Sequence, residues 1–372
     1  MLAAIAAVPV CIWLYLLLGR GGFWRVSDKF APPVSDPVSS KRVIAVIPAR
    51  NEAAVIAATL ESLFAQGISV VLVDDNSTDG TGDAARAACA EGLTVISGKP
   101  LPPGWTGKLW AVEQGIDHAA TMNPDYLLLT DADIVHGPTS VAELVDIADT
   151  GGYDLVSYMV KLGCLSFAEK ALIPAFVFFF FMLYPPRWIA SSRSKLAGAA
   201  GGCMLVKPEA LVRVGGFSAI RNTMIDDCAL AGIVKRSGGR VWLGLTSSTT
   251  SNRSYGSFGE IGRMISRTAF HQLNHSTLLL AGTIVGLIVT YLLPVALIFS
   301  GSSITAIEGA IAWLLMSIAY LPMVRFYGRS FLWACALPWI ACFYLGATVH
   351  SAIQYWRGRG GEWKGRAQDL RL

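Results

Sequence analysis

The sequence predicts an α/β domain of the doubly wound kind, with a mostly parallel sheet, joined to α-helical transmembrane segments. Three observations predict it. Between Arg42 and about Tyr255, short aliphatic and β-branched runs alternate with helical patterns, the order that builds a parallel sheet covered by helices. Apolar residues make up 53% of the 372 residues and charged ones only 15%, too apolar for an ordinary soluble enzyme. The excess is concentrated in long runs near the two ends of the sequence.

The first run, Leu2 to Leu18, is followed by Arg20, Arg25 and Lys29. Its charges come after the apolar stretch and no small-residue cleavage site is evident, which predicts a retained transmembrane helix over 1–20 rather than a signal peptide. The basic flank then faces the cytoplasm and the N-terminus lies outside. Residues 21–41, with APPVSDPVSS at 31–40, have linker composition. The α/β domain spans 42–258. Within it VIAVI at 43–47, VVLVD at 70–74 and YLLLT at 126–130 are apolar on both faces, as central strands of a parallel sheet are. NEAAVIAATLESLFAQG between the first two reads as a helix ended by Gly67. Ala171 to Tyr184 is apolar but about fourteen residues long, short for a span, and is expected to form an interfacial or groove-lining helix. At 259–276 the pattern predicts an amphipathic interfacial helix, with Ile261, Ile265, Thr268, Ala269 and Leu273 on one face and Arg263, Arg267 and His271 elsewhere. Three spans are expected near 277–300, 304–324 and 331–353, within a helical region over 277–356, followed by a basic tail over 357–372 with Arg357, Arg359, Lys364, Arg366 and Arg371. Four simple spans would put that tail outside, against the positive-inside tendency, so one re-entrant segment or one further crossing is expected.

The net charge of +4 comes without a long basic run, which argues against nucleic-acid binding. The seven cysteines, at 11, 89, 164, 203, 228, 335 and 342, form no CxxC pair. They predict neither a zinc site nor a disulfide framework, but reduced, mostly buried thiols in a cytosolic setting.

Four stretches carry chemistry. VDDNSTDGT at 73–81 follows a predicted strand and opens with two carboxylates. Asp75 can accept from the imide of uracil or from a ribose hydroxyl, whereas Asp79 is better read as a cap of the next helix. TDADI at 130–134 places Asp131 and Asp133 one residue apart in extended chain, hence on opposite sides. One can meet a sugar nucleotide and the other a divalent cation, Mg²⁺ or Mn²⁺, in the manner of sites built from one or two carboxylates and substrate phosphates. His136 is a weaker candidate ligand. In GWTGKLWAVEQGI at 104–116, Lys108 precedes a helix, where amides and dipole already favour a diphosphate. Asp226 and Asp227 stand among Met, Ile, Cys and Leu, where unassigned carboxylates are costly. Asp227 is the expected general base.

Together IPARNE, VDDNSTDGT, GKLWA, TDADI, GGCMLVKPEAL with GGF, and IDD resemble the family 2 inverting glycosyltransferases of GT-A fold, over about residues 43–270. GWTGKLWAVEQG, LIPAFVFFF, AGGCML and IDDCALA look more narrowly like the hopene-associated glycosyltransferases of hopanoid-producing bacteria. The resemblance implies a nucleotide-sugar site including Pro48, Asn51, Glu52, Asp75, Lys108 and Asp131, with the metal on Asp133 and Asp227 as base beside Asp226. It implies a multi-pass protein of the cytoplasmic membrane, with its catalytic domain on the cytoplasmic side, transferring a sugar from a UDP-sugar to a lipid. Membrane relatives carry QxxRW on an interfacial helix; here the matching stretch is Met264–Thr268, MISRT, and only Arg267 agrees. That departure argues against processive polymer synthesis and for a single transfer, with Arg267 near the reaction. Ceramide-type or polysaccharide-synthesising relatives are the alternative within the class. A nucleotide-binding transporter or scaffold is the alternative outside it, disfavoured because the spans lack internal charges apart from Glu308 and His350 near segment ends. No GxGxxG follows the first strand, which removes a dinucleotide dehydrogenase.

Overall fold

The computed structural model describes residues 2–26, 41–88 and 91–358, and the backbone of a small antiparallel pair, Glu362–Trp363 with Arg366–Ala367. The expected linker at 31–40, Cys89, and most of the basic tail, including the side chains of Arg359, Lys364, Arg366 and Arg371, lie outside the described residues. The chain divides into two compact units, residues 27–163 with 188–253 and 361–372, and residues 1–26 with 164–187 and 254–360.

The first unit is built on an eight-stranded sheet. Its strands are β1 (Val43–Ala49), β2 (Ser69–Asp74), β3 (Leu93–Ser97), β4 (Tyr126–Thr130), β5 (Ile134–Val135), β6 (Leu155–Lys161), β7 (Cys203–Val206) and β8 (Val241–Ser251), in spatial order β3-β2-β1-β4-β7-β6-β8-β5. Strands β3, β2, β1 and β4 are parallel, as the doubly apolar runs predict. Strand β7 runs antiparallel to both β4 and β6, and β5 antiparallel to β8, so the sheet is mixed, with only β7 and β5 reversed. VIAVI, VVLVD and YLLLT are all strands, and β1 and β4 are buried along their whole length. Ala45, Ile47, Leu60, Leu72, Leu128, Leu144 and Val156 are wholly buried in one continuous core. Pro48 lies in β1 beyond the last residue paired with β4, where its missing N–H costs no bond to that strand. The helix Gly107–Ala120 packs against β1 and β2 through Gly115; a Cβ there would stand 2.4 Å from Val46 Cγ1 and 3.0 Å from Val73 Cγ2. Only glycine permits that approach.

The second unit is helical. Trp13 of the helix Leu2–Leu18 is fully buried and donates from Nε1 to the carbonyl of Thr290 at 2.9 Å. Among the described residues three helices are long and apolar enough to cross a membrane: Phe167–Ala190, Thr277–Ile298 and Ser303–Phe326. The first joins the helices Phe167–Leu183 and Pro186–Ala190, separated at 184–185, and so extends beyond the apolar run at 171–184. The helix begins four residues earlier, because Ser166 and Glu169 form a capping box: the Ser166 hydroxyl accepts from Glu169 N, and Glu169 accepts from Ser166 N at 2.7 Å. Glu169 also accepts from Leu165 N and Tyr255 N, at 2.8 and 2.6 Å. The segment expected as one span at 331–353 is two helices, Leu332–Cys335 and Leu337–Trp356. The amphipathic helix runs Phe258–Gln272 and buries Ile261, Ile265 and Phe270, packing against Leu337–Trp356. Its apolar stripe is therefore covered by protein, and Arg263 and Arg267 are both exposed. Of the described cysteines only Cys203 is buried; Cys11, Cys335 and Cys342 are exposed on apolar helices.

Candidate active site

Because β1, β2 and β4 are parallel, their carboxyl ends share one edge of the sheet, and the loops carrying Arg50 to Glu52, Asp75 to Ser77 and Asp131 to Asp133 leave from it. Three clusters form there.

The first surrounds Asp75, which is almost wholly buried, at 1% exposure. Its N–H donates to the carbonyl of Ala49, while Arg50 Nη1 donates to its carbonyl and stands 3.7 Å from Oδ2. Asn51, at φ 53°, accepts on Oδ1 from Thr78 N, and its own N–H donates to Ser77 Oγ. These bonds lock the first loop to the second. Asp74 is structural, accepting from Ser77 N at 2.9 Å. Asp79 accepts from Thr81 N at the helix Thr81–Ala88 and from Ala53 N, both at 3.0 Å, as its reading as a cap predicts.

The second cluster centres on Lys108, in the first turn of Gly107–Ala120 after the N-cap Thr106. Its ammonium lies 3.0 Å from Asp131 Oδ1 and 3.4 Å from Asp226 Oδ2. Burial alone would lower its pKa; the carboxylates of Asp131, Asp226 and Asp227 outweigh that and hold it above the ordinary lysine value. Asp226 and Asp227 open the helix Asp226–Arg236. Asp227 accepts from Gly201 N on Oδ2 at 2.8 Å and from Cys228 N on Oδ1 at 2.7 Å. Burial, and then the charge of Asp226, push its carboxyl up to about 6 despite those two bonds. A Cβ on Gly201 would stand 3.3 Å from Asp227 Oδ2 and 3.6 Å from the Lys108 ammonium, so a side chain at this position would fill the space beside the pair. The Gly201 loop is itself held by the buried Ser157, which accepts from Ala200 N and donates to the carbonyl of Cys203.

The third cluster holds Asp133. Its Oδ2 accepts from Ser251 Oγ at 2.6 Å and faces Arg253 Nε at 3.5 Å, and Arg253 Nη2 reaches Glu52 Oε1 at 2.8 Å. Asp131 and Asp133 thus point to partner sets that share no residue, the alternation expected of extended chain. Among the described residues no group of three or more His, Cys, Asp or Glu side chains is placed to hold a metal ion. Two hard carboxylates beside a diphosphate suit a cation that keeps waters and takes phosphate oxygens, rather than one caged by protein. His136 is buried, its Nε2 is 3.0 Å from Thr130 Oγ1, and burial lowers its pKa to about 4, so the ring is neutral and directed into the strand β4. Arg267 stands on Phe258–Gln272 of the helical unit.

Ser157, Gly201, Ser251 and Arg253 had no role assigned from sequence. GGCML marked Gly201 only as part of a motif, and Ser251 and Arg253 are at the end of a long polar strand, with nothing in their spacing to connect them to Asp133.

A mixed α/β sheet with a lysine held between carboxylates at its strand ends gathers charged groups at the edge where such sheets bind their ligands. Residues 44–215 match the family described as Glycosyl transferase family 2. The match stops short of Asp226 and Asp227. The chain is 37% identical over 97 residues to a 4,4'-diaponeurosporenoate glycosyltransferase of Staphylococcus aureus, covering 25% of this chain and 24% of that protein. It is 32% identical over 119 residues to an uncharacterized protein of Methanocaldococcus jannaschii, 32% of this chain and 46% of that one. The chain thus spans less than half the length of these relatives. A mannosyltransferase from Pyrobaculum calidifontis, solved with GDP-Man and Mn²⁺, has the same fold at a TM-score of 0.59 and 19% identity, over 94% of this chain and 99% of that one.

Proposed function

We propose that the protein is a membrane-bound glycosyltransferase that moves one sugar from a nucleotide-sugar, a UDP-sugar in the first instance, to the hydroxyl of a lipid, with inversion. The observation that carries this reading is the clasp of Lys108 between Asp131 and the Asp226–Asp227 pair, with Asp227 poised as a base near neutral pH. Asp227 takes the acceptor's hydroxyl proton while the acceptor oxygen bonds to the anomeric carbon and the sugar–phosphate bond breaks, its electron pair leaving on the diphosphate. Lys108 lies where that negative charge develops and stabilises it. Asp133 would hold Mg²⁺ or Mn²⁺, which when bound would supply positive charge to the diphosphate, while Asp131, on the Lys108 side, meets the nucleotide-sugar. Pro48, Asn51, Glu52 and Asp75 shape the nucleotide end of the site, and Arg267, which survives from the motif of the membrane relatives, is assigned to the donor diphosphate or the acceptor.

Three helices of spanning length support a bilayer location, and the basic residues after the first apolar run are the reason to assign the α/β unit to the cytoplasmic side. A lipid acceptor fits a tethered enzyme, and one relative, named a 4,4'-diaponeurosporenoate glycosyltransferase, supports testing acceptors of that kind. A hopanoid is the acceptor to test first, from the resemblance of the motifs. The test is mass spectrometry of lipids from cells with and without the protein, followed by transfer assays with UDP- and GDP-sugars. A glycosylated lipid that disappears with the gene is the expected result; a change confined to non-glycosylated lipids would overturn the reaction type.

A further inference from the structure

A second concavity lies in the α/β unit, away from the residues assigned to catalysis. It encloses about 510 Å³ and is lined by Ser191, Ser194, Lys195, Lys235, Arg236 and Arg240 among others, with no acidic residue in its wall. Lys235 forms a fixed part of it: its ammonium donates to the carbonyls of Trp188, Ile189 and Leu196, at 3.3, 2.5 and 2.7 Å. Among the described residues no carboxylate pairs with Lys195, Lys235, Arg236 or Arg240. The acid at its margin, Asp154, is already occupied by Arg213 and by the backbone N–H of Arg240. The helix end that would oppose an anion is also satisfied, since Ser237, Gly238 and Gly239 donate to its last carbonyls. With Lys235 occupied by those carbonyls, the wall offers Lys195, Arg236 and Arg240, none paired with a carboxylate among the described residues, and serine hydroxyls that can donate.

Its place in the chain identifies the source of the anion. Ile189 and Ala190, which line the cavity, end the short helix Pro186–Ala190, which is separated by two residues from the apolar helix Phe167–Leu183; Arg187 lies within the short helix, and Arg193 and Lys195 follow it. Basic residues next to the end of a membrane helix meet the phosphate layer of the bilayer. We propose that this cavity binds the phosphate of an anionic phospholipid headgroup. The proposal rests on the membrane reading above, though not on the glycosyl transfer.

The test uses the full chain in nanodiscs of phosphatidylcholine and phosphatidylglycerol in equal parts, with native mass spectrometry of the lipids retained on release. The wild type is expected to keep phosphatidylglycerol in preference to phosphatidylcholine. The variant Lys195→Gln/Arg236→Gln is expected to lose that preference, by about fivefold per charge removed, with an unchanged melting temperature. Arg236→Gln/Arg240→Gln serves as a second variant should the first melt early. Equal retention of the two lipids by the wild type, or an undiminished preference in both variants, overturns the proposal. So does stabilisation by inorganic phosphate alone that is lost in the variants without any lipid preference, since the site then serves free phosphate. Sugar transfer in phosphatidylcholine nanodiscs is measured in parallel. Its absence throughout counts against the catalytic reading and leaves the lipid result standing, whereas a chain that does not enter the discs overturns the membrane reading and this proposal together.

Discussion

At the scale of single residues, Asp227 combines two backbone N–H bonds, which favour its charge, with burial and an adjacent carboxylate, which oppose it. The second pair wins. Below about pH 6 the group holds a proton and cannot accept another, so turnover is expected to fall as pH drops through that value. Between 3.8 and about 6 the folded chain binds this proton more tightly than the unfolded chain, so the contribution of Asp227 to stability declines as pH rises through the window. Asp227→Asn is expected to lower kcat at least about a hundredfold with donor affinity nearly intact. Asp226→Asn should be milder and should move the acidic limb to lower pH, because it removes the repulsion that helps raise Asp227; a limb that stays in place would remove Asp226 from that role. Asp133→Ala should abolish the effect of Mn²⁺ on nucleotide-sugar affinity in calorimetric titration without unfolding the domain. Undiminished Mn²⁺ dependence would mean that Asp133 does not hold the ion.

At the scale of elements, Phe258–Gln272 directs its apolar stripe against Leu337–Trp356 and leaves both arginines exposed. Arg267→Lys is expected to reduce activity on a soluble acceptor analogue while Arg263→Lys is not, because lysine lacks the planar fork that suits phosphate. Equal, small effects in detergent would show that both arginines serve lipid headgroups instead. The start of Phe167–Ala190 depends on Glu169, which serves three backbone N–H groups. Glu169→Ala leaves all three without their acceptor and should lower stability by about 2–3 kcal/mol in thermal melts. The capping box is legible in the sequence as Ser166 followed three residues later by Glu169, and it starts the helix before the apolar run that begins at Ala171.

At the scale of the whole molecule, three helices of spanning length predict that the protein stays with membranes through an alkaline carbonate wash and is released only by detergent. Release by carbonate would contradict the membrane reading. The sequence by itself determined the parallel strands, the polar loops after them and the residues with unusual chemistry, because strand burial and turn chemistry are local and leave a periodic record. It also separated Asp131 from Asp133, since alternation in extended chain is a local geometric rule. Only the tertiary structure decided that β7 runs backwards between β4 and β6, so that Gly201 arrives beside Asp227. It likewise decided that Arg253 meets both Asp133 and Glu52, and that Lys108 meets Asp226, each partner more than a hundred positions away. Such pairings depend on strand order and on which helix face turns inward, and neither is recorded in the spacing of residues along the chain.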